Sequence, residues 1–219
     1  MSDVLESHQV ALRPVPFAPE ILIFQAPDEV GLWDSSGGNY HSDQPPPFWA
    51  YAWPGGQALA RYVLDNPHVV RGRDVLDLGS GSGLVAIAAA KSGARSVLAT
   101  DTDADAIASA YRNAEANGVT IDGLVGDALA SDEGAATVIL VGDMFYGPTM
   151  TNRVMRFLRR AVSKEDGNVA LVGDPGRGFL LPDRFDEVAT YDVPARSVVE
   201  DVTTMRTTVW QLRFQRQAP

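Results

Sequence analysis

The stretch Val75-Leu76-Asp77-Leu78-Gly79-Ser80-Gly81-Ser82-Gly83 decides the fold of this chain. Its first four residues are mostly apolar and predict a buried β-strand, which runs directly into a loop that has a glycine at every second position. Because glycine has no Cβ, such a loop turns sharply from strand into helix and lets a ligand approach the backbone. The stretch therefore predicts an α/β fold with a nucleoside cofactor at the end of its first core strand.

The glycine spacing and a nearby carboxylate indicate which cofactor it is. Gly79, Gly81 and Gly83 form G-x-G-x-G, whereas the dinucleotide fingerprint is G-x-G-x-x-G. Asp77 precedes the loop and would repel a pyrophosphate, but it suits a ligand that carries an ammonium group, such as the methionyl end of S-adenosylmethionine. No Lys-Ser or Lys-Thr follows, which excludes a P-loop. A tight turn without a ligand is the alternative interpretation.

Two further carboxylates follow the next predicted strands. Ser96–Thr100 predicts a strand that ends at Asp101 and Thr102, close to the ~20-residue offset of an acidic ribose ligand. Asp101 would accept hydrogen bonds from the ribose hydroxyls. After the strand-like residues 121–126, Asp127 and the backbone of Ala128 are predicted to reach the adenine amino group. A helix cap is the alternative role for Asp127.

The candidate catalytic segment is Gly142-Asp143-Met144-Phe145-Tyr146-Gly147, after the strand-like residues 136–142. Ligands of doubly wound sheets bind outside the carboxyl ends of the strands, so Asp143 and Tyr146 are expected to face the cofactor crevice. Asp143 would orient an amine and stabilise its developing positive charge, while Phe145 and Tyr146 would wall a dry approach for in-line methyl transfer. A helix N-cap followed by core aromatic residues is the alternative.

Composition limits the class of protein and its partners. The chain has 219 residues, of which 45% are hydrophobic, so it can bury the core of a single α/β domain. It contains no cysteine and three histidines, which excludes disulfides and thiolate catalysis and predicts no metal site. Its formal net charge of −10 argues against a nucleic-acid partner and is compatible with a basic protein substrate. No segment reaches membrane-spanning length, and the N-terminus resembles no targeting signal.

The pattern divides the chain into residues 1–54 and residues 55–219, which together are expected to form one compact unit. The second part alternates predicted strands and helices, and it ends in two strand-like runs, Phe185–Val193 and Thr203–Phe214, that suggest an antiparallel pair at a sheet edge. The first part contains a strand-like run at 21–25 and a loop at 35–47, interpreted as an active-site cover or a disordered linker. Its aromatic end favours the cover, with Trp53 near the cofactor.

Several of these motifs resemble a known family. Asp77–Gly83 is similar to motif I of the seven-strand, class I S-adenosylmethionine methyltransferases, and Asp143-x-x-Tyr146 resembles the D-x-x-Y/F signature of their protein-lysine branch. The resemblance covers roughly residues 45–215 and is strongest to the enzymes that act on electron transfer flavoprotein subunit beta. The segments that carry it are Phe48-Trp49-Ala50, Gly55–Leu59, Arg61–Pro67, Gly142–Tyr146 and Gly173-Asp174-Pro175-Gly176-Arg177.

The resemblance implies a Rossmann-like seven-strand sheet with helices on both faces and an antiparallel C-terminal strand. It implies transfer of methyl groups from S-adenosylmethionine to a lysine of electron transfer flavoprotein subunit beta, and related enzymes also modify ribosomal proteins. The residues that inherit cofactor or active-site roles are Trp53, Gly79, Gly81, Asp101, Asp127 and Asp143. A small-molecule methyltransferase and a non-catalytic cofactor-binding module are the alternatives. No mitochondrial transit peptide is recognised, which predicts a bacterial, cytoplasmic protein.

Overall fold

The computed structural model describes residues 10–26, 47–130, 136–163, 167–195 and 202–213. The described elements are, in chain order, β1 (Ala11–Val15), β2 (Ala18–Gln25), α1 (Pro54–Asp65), β3 (Asp74–Leu78), α2 (Leu84–Lys91), β4 (Ser96–Asp101), α3 (Ala104–Ala116), β5 (Asp122–Val125), β6 (Val138–Gly142), α4 (Pro148–Val162), β7 (Val169–Asp174), β8 (Phe185–Pro194) and β9 (Thr204–Leu212). Short 3₁₀ turns lie at Phe48–Ala50, Pro67–Val69, Ala128–Ala130 and Pro182–Arg184.

Seven of these strands form one sheet in the order β5-β4-β3-β6-β7-β9-β8. The first five in that order run parallel, and β9 is antiparallel to both β7 and β8. This confirms the predicted fold class and the antiparallel pair at the sheet edge. After β3, the next two strands along the chain, β4 and β5, lie on one side of it, and β6 then lies on its other side. The carboxyl end of β3 is therefore the switch point, where ligands of such sheets bind.

Helices cover both faces of the sheet, because side chains of successive strand residues point to opposite faces. On β6, Val138 and Leu140 belong to the core cluster that contains α1, α2 and α3. Ile139 and Val141 belong to the cluster packed under α4. The same alternation puts Val75 of β3 in the first cluster and Leu76 in the second.

The described part of residues 1–54 includes an antiparallel hairpin, β1 with β2, which joins the core beside α3. Asn113 of α3 accepts a hydrogen bond from the Phe24 backbone N–H at 2.8 Å, and Asn117 exchanges hydrogen bonds with the Leu22 backbone. The predicted strand at 21–25 is confirmed as part of β2, whereas β1 has no counterpart in the sequence prediction. The loop predicted at 35–47 lies outside the described residues except for Pro47. The division at residue 54 stays a prediction.

Within the described ranges, no helix combines the length and apolar character needed to cross a membrane.

Candidate active site

The glycine loop after β3 adopts a backbone that only glycine adopts readily. Gly79, Gly81 and Gly83 have φ values of 68°, 50° and 75°. A Cβ on Gly83 would lie 2.7 Å from the Ala110 Cβ, and one on Gly79 would lie 2.6 Å from the Met144 Sδ. Among the described residues, a Cβ on Gly81 would meet only the Trp49 Cα, at 3.9 Å, which is an ordinary van der Waals contact. The loop is therefore packed at both ends and leaves space at its centre.

Asp101, at the end of β4, fixes this loop from the neighbouring strand. Its Oδ2 accepts a hydrogen bond from the Gly81 N–H at 2.9 Å, and its Oδ1 accepts one from the Asp103 N–H at 3.0 Å. Thr102 is exposed beside it. The structure thus brings Asp101 to the open centre of the glycine loop, where the sequence placed it, and its bond to a ribose stays a prediction.

Asp77 lies beneath the loop and is only 2% exposed. Its Oδ2 accepts a hydrogen bond at 2.9 Å from the Ala86 N–H, in the first turns of α2. Burial, reinforced by the negative charge of Asp101, raises the pKa of Asp77 to about 7. Asp77 therefore ties the loop to α2, and its predicted contact with a cofactor ammonium group stays a prediction.

Asp127 follows β5 and makes two contacts. Its Oδ1 accepts a hydrogen bond from the Leu129 N–H at 3.2 Å, which caps the 3₁₀ turn at Ala128–Ala130. Its Oδ2 forms an ion pair with Arg153 of α4. The structure thus shows the capping role that the sequence left open, together with an arginine that the sequence analysis missed. Contact of Asp127 and Ala128 with adenine stays a prediction.

Asp143 follows β6 in an unusual conformation. Its φ of 56° makes it the one non-glycine residue in the described ranges with a positive φ. Such a backbone is strained, and strain of this kind is concentrated at functional sites. The Asp143 N–H donates to the Gly173 carbonyl at 3.0 Å, and Oδ2 accepts from the Gly56 N–H at 2.8 Å. The carboxylate therefore lies at the N-terminus of α1, where the helix dipole favours negative charge.

The start of α1 touches the strand ends so closely that no side chain fits between them. A Cβ on Gly55 would lie 2.3 Å from the Gly173 carbonyl oxygen and 2.6 Å from the Asp143 Oδ2. A Cβ on Gly173 would lie 2.0 Å from the Gly55 carbonyl oxygen. The sequence Pro54-Gly55-Gly56 thus provides both a proline suited to a helix start and the glycines that this approach requires.

Arg177 joins Asp143 to Trp53. Its guanidinium Nη2 lies 3.4 Å from the Asp143 Oδ1, and its Cζ lies 5.9 Å from the centre of the Trp53 ring. The Trp53 indole N–H donates to the Phe48 carbonyl at 2.8 Å. Arg177 thus links Trp53 to Asp143, and the predicted position of Trp53 near the cofactor stays a prediction. Arg177 belongs to the G-D-P-G-R segment, which carried a resemblance but no predicted role.

The two aromatic residues after Asp143 differ in position. Phe145 is fully buried and packs edge-on against Phe185 at a ring-centroid distance of 6.1 Å, so its predicted role as a wall of the substrate approach is wrong. The chain leaves Asp143 in a direction that turns this ring into the core under α4. Tyr146 is 55% exposed. Burial raises the pKa of the Tyr146 hydroxyl, the negative charge of Asp101 adds to this effect and Arg153 opposes it, and the predicted catalytic role of Tyr146 stays a prediction.

No group of three or more histidine, cysteine, aspartate or glutamate residues suited to a metal ion occurs in the described part of the chain.

Comparison with known proteins identifies the family. The profile of ribosomal protein L11 methyltransferase (PrmA) matches residues 57–142. The electron transfer flavoprotein beta subunit lysine methyltransferase of Rattus norvegicus is 39% identical over 169 residues, which are 75% of this chain and 66% of that protein. Its counterpart from Xenopus laevis is 38% identical, over 75% of this chain and 68% of that protein. The chain thus spans about two thirds of the length of these relatives.

A solved structure supports the fold. The RNA methyltransferase from Salinibacter ruber, in complex with S-adenosyl-L-homocysteine, superposes with a TM-score of 0.52 at 22% identity, over 74% of this chain and 94% of that one. The likeness shows the class I methyltransferase fold. Together with the extent of identity to the vertebrate proteins, it assigns the chain to the family of electron transfer flavoprotein beta subunit lysine methyltransferases.

Proposed function

We propose that this protein transfers methyl groups from S-adenosylmethionine to the side-chain amine of lysine in a protein substrate, electron transfer flavoprotein subunit beta. The observation that supports the chemistry is Asp143, whose carboxylate is held by the N-terminus of α1 at the carboxyl end of β6. The next residue, Met144, lies against Gly79 of the glycine loop. An acidic group is thus positioned beside the expected cofactor cleft.

The residues of the glycine loop fit this cofactor. The space at Gly81 admits a ligand close to the backbone, and the Ser80 hydroxyl is buried without a hydrogen-bond partner among the described residues. Gly79–Gly83 would hold the methionyl part, Asp101 the ribose hydroxyls, and Asp127 with Ala128 the adenine. When bound, S-adenosylmethionine supplies an electrophilic methyl group on a sulfonium.

The chain's own residues prepare the lysine for attack. The lysine ammonium, with an unperturbed pKa of about 10.4, must first lose a proton to solvent. The neutral nitrogen would be the acceptor of the methyl group that the bound cofactor supplies. The Asp143 carboxylate orients the nitrogen and stabilises its developing positive charge. Arg177, whose Nη2 lies 3.4 Å from the Asp143 Oδ1, offsets part of the tendency of this carboxylate to hold the amine in its ammonium form, because a nearby cation disfavours that form.

A lysine of a ribosomal protein is the second candidate substrate. It is favoured by the PrmA profile, which matches residues 57–142. That match runs from α1 to β6 and leaves out β7, β8 and β9. It therefore supports the shared cofactor chemistry more than the substrate, and the longer matches to the flavoprotein methyltransferases favour the beta subunit. The acidic net charge of −10 makes a nucleic acid a poor partner. The bacterial cytoplasm stays the predicted compartment.

The test is methylation by the purified protein with radiolabelled S-adenosylmethionine. Recombinant electron transfer flavoprotein and a ribosomal protein fraction are offered in parallel, and labelled peptides are identified by mass spectrometry. We expect label on a lysine of the beta subunit. Label confined to ribosomal bands would retain the chemistry and change the substrate. Cofactor binding without label on either would contradict lysine methylation and favour a small-molecule acceptor or a binding module.

A further inference from the structure

Asp174, the last residue of β7, is a buried carboxylate whose hydrogen bonding is incomplete. It is 5% exposed, and its Oδ2 accepts a hydrogen bond from the Gly176 N–H at 2.9 Å. Its Oδ1 is buried and has no hydrogen-bond partner among the described residues. Burial raises the pKa of Asp174. An acceptor left unpaired in the interior destabilises a fold, so this oxygen marks a place where a ligand can supply the missing donor.

The position of Asp174 places it beside the proposed catalytic residue. Strands β6 and β7 are parallel neighbours with Gly142 opposite Gly173, so Asp143 and Asp174 are the next residues on the two strands. The Asp143 N–H donates to the carbonyl of Gly173, immediately before Asp174. Arg177 pairs with Asp143, and its positive charge also opposes the effect of burial on the pKa of Asp174. One guanidinium therefore acts on two adjacent carboxylates.

We propose, on the basis of the proposed function, that Asp174 is the second carboxylate of the acceptor site and receives a hydrogen bond from the side-chain nitrogen of the substrate lysine. A neutral amine has two N–H groups and one lone pair. With one N–H directed to Asp143 and the other to the Asp174 Oδ1, the lone pair is left to face the methyl carbon. Two acceptors therefore define the line of attack, whereas a single acceptor leaves the amine free to rotate.

Arg177 lies beside the first of these carboxylates. The distance of 3.4 Å between its Nη2 and the Asp143 Oδ1 exceeds the roughly 2.7–2.9 Å of a strong charge-assisted pair, and a carboxylate oxygen can accept more than one hydrogen bond.

The test is Asp174→Asn, which keeps the shape of the side chain and replaces one acceptor by a donor. We expect kcat/KM for the protein substrate to fall by roughly 10- to 100-fold, the effect of losing a hydrogen bond to a charged group. The Kd for the cofactor is expected to stay unchanged, and the Tm to stay unchanged or rise. Asp174→Glu, which keeps the carboxylate, is expected to retain more activity than Asn. The control is Asp186→Asn on the exposed surface of β8, which is expected to keep full activity.

The outcomes separate this role from the proposed function. Absence of methyl transfer by the unmodified protein overturns the proposed function and with it the acceptor role. Active Asp174→Asn protein with unchanged kcat/KM overturns the role of Asp174 alone. A large fall in Tm together with lost cofactor binding would show that Asp174 is a structural group, and that result also overturns the proposal.

Discussion

Asp143→Ala separates the catalytic role of Asp143 from its structural role. In the folded protein the Asp143 carboxylate accepts from the Gly56 N–H at 2.8 Å and pairs with Arg177 at 3.4 Å. The substitution removes both contacts and leaves an alanine at a φ of 56°. It therefore removes the acidic group beside the cofactor cleft and uncaps α1 at the same time.

The expected loss of stability follows from these contacts. Loss of the cap on α1 costs about 1 kcal/mol, and loss of the charge at the helix N-terminus costs roughly 0.3–1 kcal/mol. Alanine tolerates the left-handed region less well than aspartate, at a cost of up to about 1 kcal/mol. The sum is about 1–3 kcal/mol, which is less than the roughly 5–15 kcal/mol that keep a typical domain folded. The variant is therefore expected to fold and to lose methyl transfer.

The assay combines urea unfolding followed by circular dichroism with transfer of radiolabel to the protein substrate. Asp143→Asn is the matched variant, because asparagine tolerates the same φ and keeps an oxygen for the Gly56 N–H. It is expected to lose about 1 kcal/mol or less of stability and most of the activity. Full activity of Asp143→Ala would refute the catalytic assignment. Failure of Asp143→Asn to fold would show that the contacts of Asp143 contribute more to the free energy of unfolding than the values given above.

Three further predictions concern the glycine loop and its supports. Asp101→Ala is expected to weaken cofactor binding roughly 10- to 100-fold, measured by calorimetry, with the fold retained. Gly81→Val is expected to abolish cofactor binding because its side chain fills the open centre of the loop; Gly72→Val, also at a positive φ with nothing within 4 Å, is the control expected to bind normally. Asp77 has a folded pKa raised to about 7 from an ordinary value of 3.8. Between about pH 4 and pH 7, Asp77 is protonated more in the folded protein than in the unfolded chain. Its contribution to the free energy of unfolding therefore falls as pH rises from about 4 to 7 and is constant outside that window. Asp77→Asn is expected to flatten this part of the profile, and an unchanged profile in denaturation experiments would contradict the raised pKa.

Much of the fold follows from local patterns in the sequence. Val75–Gly83 predicts the first core strand and the turn after it, because strand hydrophobicity and glycine spacing act over a few residues. The same holds for Asp101, which follows its strand directly. The alternation of strands and helices indicates a parallel α/β sheet, whereas the seven-strand architecture is what the family resemblance implies.

The parts of the site that were missed depend on contacts between distant segments. The bond from Gly56 to Asp143 spans 87 positions, and the pair of Arg177 and Asp143 spans 34. No periodicity marks either contact. Phe145 was assigned to the substrate approach because it follows a strand end, and its true direction depends on the left-handed backbone at Asp143, which the residue type alone does not reveal.

The close approach of Gly55 to Gly173 has a consequence for the order of folding. Helix α1 packs against β6, β7 and β9, so its position requires chain that is synthesised much later. Contacts of such long sequence separation form slowly, after the local units. The glycine loop and α2 lie next to each other in sequence and can assemble early. During synthesis, a cofactor-binding unit is therefore expected to arise first, and the acceptor site only when β7 docks and supplies the carbonyl that fixes Asp143. We therefore expect a nascent chain that ends before β7 to lack the methyl acceptor site.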